Sequence, residues 1–170
     1  MPARSQLPTF LALAVAGAVA DLWSKAWAMG FLGGVEGNAR MILEPWLEIT
    51  LRFNRGTAFS AIFDLGETVR VLFGVGAMLV VAAMAWMSTR AETTRLQAAA
   101  YGVLAGGAVG NGWDRMFREA PGGGTGVVDF VKLNYPWGGS WPAFNVADAL
   151  LVVGVGLLLL GWPREGQRSA

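Results

Sequence analysis

Two short stretches near the C-terminal end set carboxylates among strongly apolar neighbours. One is Gly126-Val127-Val128-Asp129-Phe130. The other is Phe144-Asn145-Val146-Ala147-Asp148, which opens the last long apolar run. A charge is costly in such surroundings, so its presence asks for a role. Two carboxylates that meet across an apolar site can share one proton, so that one activates a water while the other polarises a carbonyl. Asp129 and Asp148, with no cation directly beside either in sequence, are the candidate pair for such acid–base hydrolysis. Asp114 is followed by Arg115 and is expected in a supporting network with Arg115 and Asn111.

Asn145 and Asp148 are three residues apart, and Asn111, Asp114 and Arg115 stand at i, i+3 and i+4, so on a helix each set shares a face. Hydrogen-bonded glue between helices accounts for one amide–carboxylate set of this kind. Two sets and a third acid ask for more. Asp21 and Lys25, four apart, can pair on one face, and a neutralised, snorkelling helix end is the plain account of them.

The chain contains no His and no Cys, which excludes His-based triads, thiolate chemistry, disulfides and Cys-ligated metals. Acid–base work falls to Asp, Glu, Lys, Tyr or water, and neither a metal nor an organic cofactor is called for. Only 15% of residues are charged and 54% are hydrophobic. A soluble domain carries about 25% charged residues, so the composition is that of an integral membrane protein. A net charge of +1 argues against a nucleic-acid partner, and 170 residues fit a single domain.

The elements that must position these groups follow from hydropathy. Four spanning helices are expected, at about 9–29, 69–89, 96–115 and 143–162. Arg4, an apolar core and Ala18-Val19-Ala20 imitate a secretory signal peptide, but Leu22 to Met29 extend the run to spanning length, so the helix is expected to be retained. Between the first two spans, Gly30 to Thr68 is too polar to cross. It begins glycine-rich and then alternates Leu47, Ile49, Leu51 and Phe53 with Glu48, Thr50, Arg52 and Asn54, the pattern of a half-buried strand. Gly56 ends that strand, and Thr57-Ala58-Phe59-Ser60 is expected to return as a second short one. A small extracytoplasmic sheet and lid at the membrane surface is the result. The second long connection, Phe117 to Pro142, carries Tyr135, Trp137 and Trp141, suited to a membrane–water interface.

Four spans place both termini on one side. Five arginines fall in the short segments 1–8, 88–95 and 163–170, whereas the much longer loops 30–67 and 117–142 hold five Lys or Arg. That density puts the termini in the cytoplasm and the candidate acids near the outer face. Intramembrane acids also mark ion paths, so a small proton-coupled transporter or channel is an alternative; it expects acids near mid-membrane and often repeated halves. A non-catalytic membrane scaffold is another. A Ser24–Lys25 peptidase is disfavoured because adjacent helical residues do not face each other.

Five blocks, Asp21-x-x-Ser24-Lys25, Asn54-Arg55-Gly56-Thr57-Ala58-Phe59, Gly106 to Arg115 (GGAVGNGWDR), Val127-Val128-Asp129-Phe130 and Phe144-Asn145-Val146-Ala147-Asp148, resemble bacterial lipoprotein signal peptidase, the type II signal peptidase, in that family's order. The resemblance implies an inner-membrane aspartyl endopeptidase without cofactor, acting on diacylglyceryl-modified lipoprotein precursors just before the lipidated cysteine. It implies Asp129 and Asp148 as the catalytic pair. Asn54, Gly56, Asn111, Arg115 and Asn145 then become substrate-positioning or supporting residues, and Asp21, Lys25 and Asp114 structural ones.

Overall fold

Glycine and alanine crowd one stretch of the chain, and the helix that carries them is the one the others pack around. The computed structural model describes residues 5–56 and 66–161. Among these, helix α1 (Leu7–Phe31) is followed by strands β1 (Ala39–Leu43) and β2 (Leu47–Asn54), helices α2 (Gly66–Ser88) and α3 (Arg95–Phe117), strand β3 (Val127–Leu133) and helix α4 (Val146–Leu160). Helix α3 touches α1, α2 and α4. It starts at a capping box, in which Thr94 and Gln97 satisfy each other's free main-chain N–H.

Small residues let the helices close on α3. A Cβ at Gly106 would lie 2.9 Å from Gly17 Cα, and one at Gly107 would lie 2.7 Å from the Ala147 carbonyl oxygen. Ala98, Ala100 and Ala105 are fully buried on the same helix. Large side chains point the other way: Leu11, Val15 and Val19 of α1, Leu72, Phe73 and Leu79 of α2, and Val152, Val153 and Leu159 of α4 are all exposed. Small and polar groups inside with branched apolar groups outside reverse the order of a soluble bundle and suit a lipid surround. By length and composition α1 and α2 can each cross a membrane, while α4 is apolar but only 15 residues long. The glycines and polar groups of α3 lower its hydropathy, and its place in the centre hides them.

The strands form one antiparallel sheet in the order β1-β2-β3. Strand β2 appears where the alternation placed it. Thr50, expected on the polar side, is instead buried, its hydroxyl 3.4 Å from the Asn38 carbonyl oxygen, and the β2–β3 register shifts between Ile49 and Arg52. Strand β1 carries no alternation because it is an edge strand exposed throughout. Strand β3 was not foreseen either; it pairs with residues some 80 positions earlier, which no local pattern reveals. The second strand expected at Thr57 to Ser60 lies outside the described residues. The sheet sits on the C-terminal end of α1, where Ala28 and Leu32 pack against Ile49, Leu51, Phe53, Val128 and Phe130.

A glycine pair tests this packing. A Cβ at Gly110 would fall on the fully buried Asp21 carboxylate, whereas one at Gly76 meets nothing within 4 Å. Gly110→Ala should therefore destabilise by about 1–3 kcal/mol, the usual cost of overpacking. Gly76→Ala should be neutral or stabilise by up to about 1 kcal/mol. Thermal unfolding in detergent compares them, and equal melting temperatures would rule out the close approach.

Candidate active site

At the heart of the bundle is a buried ammonium. Lys25 on α1 is 0% exposed, and its Nζ lies 2.6 Å from Asp21 Oδ2, 2.9 Å from Asp114 Oδ2 and 2.8 Å from Asn111 Oδ1. Asp21 Oδ1 accepts the Ala147 N–H at 2.8 Å, so a carboxylate of α1 holds the first turn of α4. Asp114 accepts from Arg118 Nε at 2.5 Å and from the Val128 N–H at 3.3 Å, which brings in β3. Three helices and the sheet are thus tied at one polar point.

Asp148 stands in the first turn of α4. It forms a reciprocal capping box with Asn145: Asn145 Oδ1 accepts the Asp148 N–H at 3.0 Å, and Asp148 Oδ2 accepts the Asn145 N–H at 3.1 Å. Asp148 Oδ1 accepts from Asn111 Nδ2 at 3.0 Å. Asp129 comes from β3, and the chain ahead of α4 delivers the two acids to one place. Phe144 pairs with Val131, accepting that residue's N–H at 2.8 Å and the Phe130 N–H at 3.0 Å. Asn145 then spans the gap. Its side-chain Nδ2 donates to Asp129 Oδ1 at 2.7 Å while its main-chain N–H holds Asp148. Asp129 Oδ2 accepts from Asn54 Nδ2 at 3.2 Å, and Asn54 Oδ1 in turn accepts the Gly56 N–H at 3.0 Å.

Asp129 is buried, and burial is the main force that pushes its carboxyl up to about 7; the negative charge of Asp148 adds to it, against the amide of Asn54, the positive charge of Lys25 and the amide of Asn145. Beside Asp148 opens an apolar groove of about 370 Å³, lined by Leu133, Trp141, Phe144, Ala149, Val152 and Val153. The arrangement offers two electrostatically coupled carboxyl groups, a fixed set of amide donors and an apolar approach along the outside of α4. Among the described residues, no three His, Cys, Asp or Glu side chains converge as a metal would require.

A family model described as signal peptidase (SPase) II matches residues 13–162. The chain belongs to the signal peptidase II family. The lipoprotein signal peptidase of Syntrophomonas wolfei is 35% identical over 151 residues, 89% of this chain and 90% of that protein. That of Methylobacterium sp. strain 4-46 is 36% identical over 156 residues, 90% and 88% of the two chains. Two solved structures of a bacterial membrane enzyme share the fold with a TM-score of 0.76 each, at 23% and 24% identity. They cover 100% and 97% of this chain, which spans 96% and 99% of theirs.

Described residues from all five blocks that resemble the signal peptidase II family meet in space. Asn54, Asn111 and Asn145 all reach the carboxyl pair, and Gly56 reaches it through Asn54. Asn145 differs from expectation in one respect: it is the N-cap of α4, not a residue of its face. Asp21 and Lys25 do pair, but fully buried at the centre and not snorkelling at a helix end. Asp114 is a buried support, but its partners are Lys25 and Arg118; Arg115 donates instead to the Asn111 carbonyl oxygen at 3.1 Å. Position i+4 is matched equally by Arg118, whose Nε reaches back one turn. Arg118 and the Val128 N–H were missed by sequence reasoning, and only that i, i+4 spacing could have flagged the arginine.

Two outcomes follow from this geometry. A carboxyl raised in the folded state favours folding at low pH, and that contribution is lost as pH rises through about 7. Wild-type protein should lose melting temperature between about pH 5 and about pH 8, and Asp129→Asn should lose less over the same range. Parallel pH slopes would count against a raised carboxyl. The second concerns Gly56, whose N–H orients Asn54. Gly56→Pro removes that donor and should lower activity well below that of Gly56→Ala, with both variants folded as judged by circular dichroism. Equal activity in the two would remove the N–H from the site.

Proposed function

We propose that the chain is an intramembrane aspartyl endopeptidase. It removes signal peptides from diacylglyceryl-modified prolipoproteins, cutting immediately before the lipidated cysteine. The observation that carries this reading is the convergence of Asp129 and Asp148 on Asn145. Family membership and the lipoprotein signal peptidases that resemble the chain support the same substrate class.

In the proposed reaction Asp148 is the base. It accepts an N–H on each oxygen and stands at the positive end of α4, where negative charge is favoured. Asp129, buried and raised to about 7, keeps the shared proton. Asp148 takes a proton from water as the oxygen attacks the scissile carbonyl carbon, and Asp129 gives its proton to the carbonyl oxygen. In the tetrahedral diol, Asp129 takes a proton back from the diol as the C–N bond breaks, and Asp148 passes its own proton to the leaving amine. Such a step needs neither metal nor organic cofactor.

The groove beside Asp148 suits an apolar segment arriving sideways from lipid, either the signal helix or an acyl tail. All four helices span in this reading as one domain. Both termini are cytoplasmic, and the carboxyl pair lies toward the periplasmic face of the inner membrane, as the arginine distribution favours. The pair stands where a helix start meets a sheet, which favours hydrolysis over a proton path running through mid-span.

Asp129→Asn and Asp148→Asn should each lower cleavage by at least roughly 10²–10⁴-fold, the usual worth of a positioned acid or base. Asp114→Asn should chiefly lower stability, because it breaks a buried pair with Lys25. The assay is cleavage of a diacylglyceryl-modified precursor by purified variants in detergent, with melting temperature read in parallel. Near wild-type turnover in either dyad variant would sink the assignment.

A further inference from the structure

We infer, resting on the assignment of Asp129 and Asp148 above, that Lys25 is a positioning residue that sets the direction of hydrogen bonding across the carboxyl pair, acting through the amide of Asn111. Lys25 does not touch either carboxyl group of the pair. Its charge acts on Asp129 from a distance, and its effect on direction comes from being a group that only donates.

An asparagine amide has nearly the same shape in both orientations, so its neighbours decide which end faces where. Asn111 has three polar neighbours. Lys25 Nζ lies 2.8 Å from its Oδ1, Asn145 Nδ2 lies 3.1 Å from the same oxygen, and Asp148 Oδ1 lies 3.0 Å from its Nδ2. Turning the amide over would press an NH2 against the ammonium and against the Asn145 NH2. It would also set an amide oxygen against the Asp148 oxygen. That last contact is tolerable only with a proton between the two oxygens, carried by Asp148. A reversed Asn111 therefore takes from Asp148 the open lone pair with which a base receives a proton from water.

Asn145 cannot hold Asn111 in place alone, since its Nδ2 already faces the Val128 carbonyl oxygen at 3.2 Å and Asp129 Oδ1 at 2.7 Å, three acceptors for two protons. The ammonium is the donor that cannot turn away. It is held on its other sides by Asp21 from its own helix and by Asp114 from α3, and these are held in turn by the Ala147 N–H and by Arg118. The other charged groups facing this region are Arg115 on α3, Asp129 on β3 and Asp148 on α4. The arrangement is thus a directed chain of hydrogen bonds in which Lys25 donates to Asn111 and Asn111 donates to Asp148.

The test must separate direction from mere support. Lys25→Met alone leaves the buried Asp21 carboxylate without its cation while Asp114 keeps only Arg118, so the informative variant is the charge-balanced pair Lys25→Gln with Asp21→Asn. It should fold and keep KM for a lipid-modified precursor, while kcat falls by roughly 10²-fold, as expected when a reacting group is misdirected. A second readout needs no turnover. Difference infrared spectra against Asp148→Asn in each background report whether Asp148 is a carboxylate or a protonated acid. The wild type should show the carboxylate at neutral pH, and the charge-balanced pair should gain the protonated band. Lys25→Arg, still a pure donor, should keep the carboxylate band even where its bulk slows turnover. A charge-balanced pair with wild-type kcat and an unchanged band would overturn the inference, and so would a protonated band in Lys25→Arg as strong as in the pair. If the wild type fails to cleave any lipid-modified precursor while the band still follows Lys25, the peptidase reading falls and the positioning role stands.

Discussion

A fully buried ammonium is the constraint on which the remaining structure depends. Lys25 is out of contact with solvent, and so are Asp21 and Asp114 that flank it. Placing such a group away from water costs several kcal/mol unless its partners are close and themselves satisfied. Here each partner is secured from a different element: Asp21 by the start of α4, Asp114 by the end of α3 and the backbone of β3, and Asn111 by the residues ahead of α4. None of these elements can move without leaving a buried charge short of a partner. In lipid, where the hydrophobic effect does little to press helices together, such a cluster also supplies registry that apolar surfaces cannot.

That cluster dictates the glycines. The Asp21 carboxylate lies directly against the backbone of α3 at Gly110, where any side chain would displace it. Gly106 and Gly107 admit α1 and the first turn of α4 at similarly short range. The glycine-rich run that reads as a motif is, physically, the cleared backbone that lets acids and amides from three elements reach a common point. Small residues serve close packing and chemistry together, which explains why the polar residues Asn111 and Asp114 sit within the same run.

Much of this was legible from the residues. Four helices and the strand Leu47–Asn54 follow from hydropathy and alternation, because both patterns are local. Asp129 and Asp148 stand out because a carboxylate among Val and Phe is costly wherever the chain goes. The partners were less legible. Spacing alone offered Asp114 the adjacent Arg115, yet the helix turns Arg115 toward the Asn111 carbonyl oxygen and gives Asp114 to Arg118. Strand β3 escaped notice because its pairing is with a segment on the far side of two helices, and β1 because an exposed edge has no buried face to pattern. Sequence spacing reports which groups share an element; which groups share a site depends on contacts between elements.

The three asparagines of the site show how direction is built from shape-ambiguous parts. Each has its oxygen committed to a donor that cannot act otherwise: a lysine ammonium for Asn111, the main-chain N–H of Gly56 for Asn54, and the main-chain N–H of Asp148 for Asn145. Each then presents its NH2 to a carboxyl oxygen, two to Asp129 and one to Asp148. Charged side chains in those places would favour one ionisation state of the acids over the other. Neutral amides of imposed direction position the oxygens without imposing a charge, which the proposed acid–base dyad would require. The same logic accounts for the distance at which the cations are kept. Lys25 and Arg118 bond Asp21 and Asp114 directly; the charge of Lys25 still favours ionised Asp129 from a distance, and its ammonium orients the amide of Asn111.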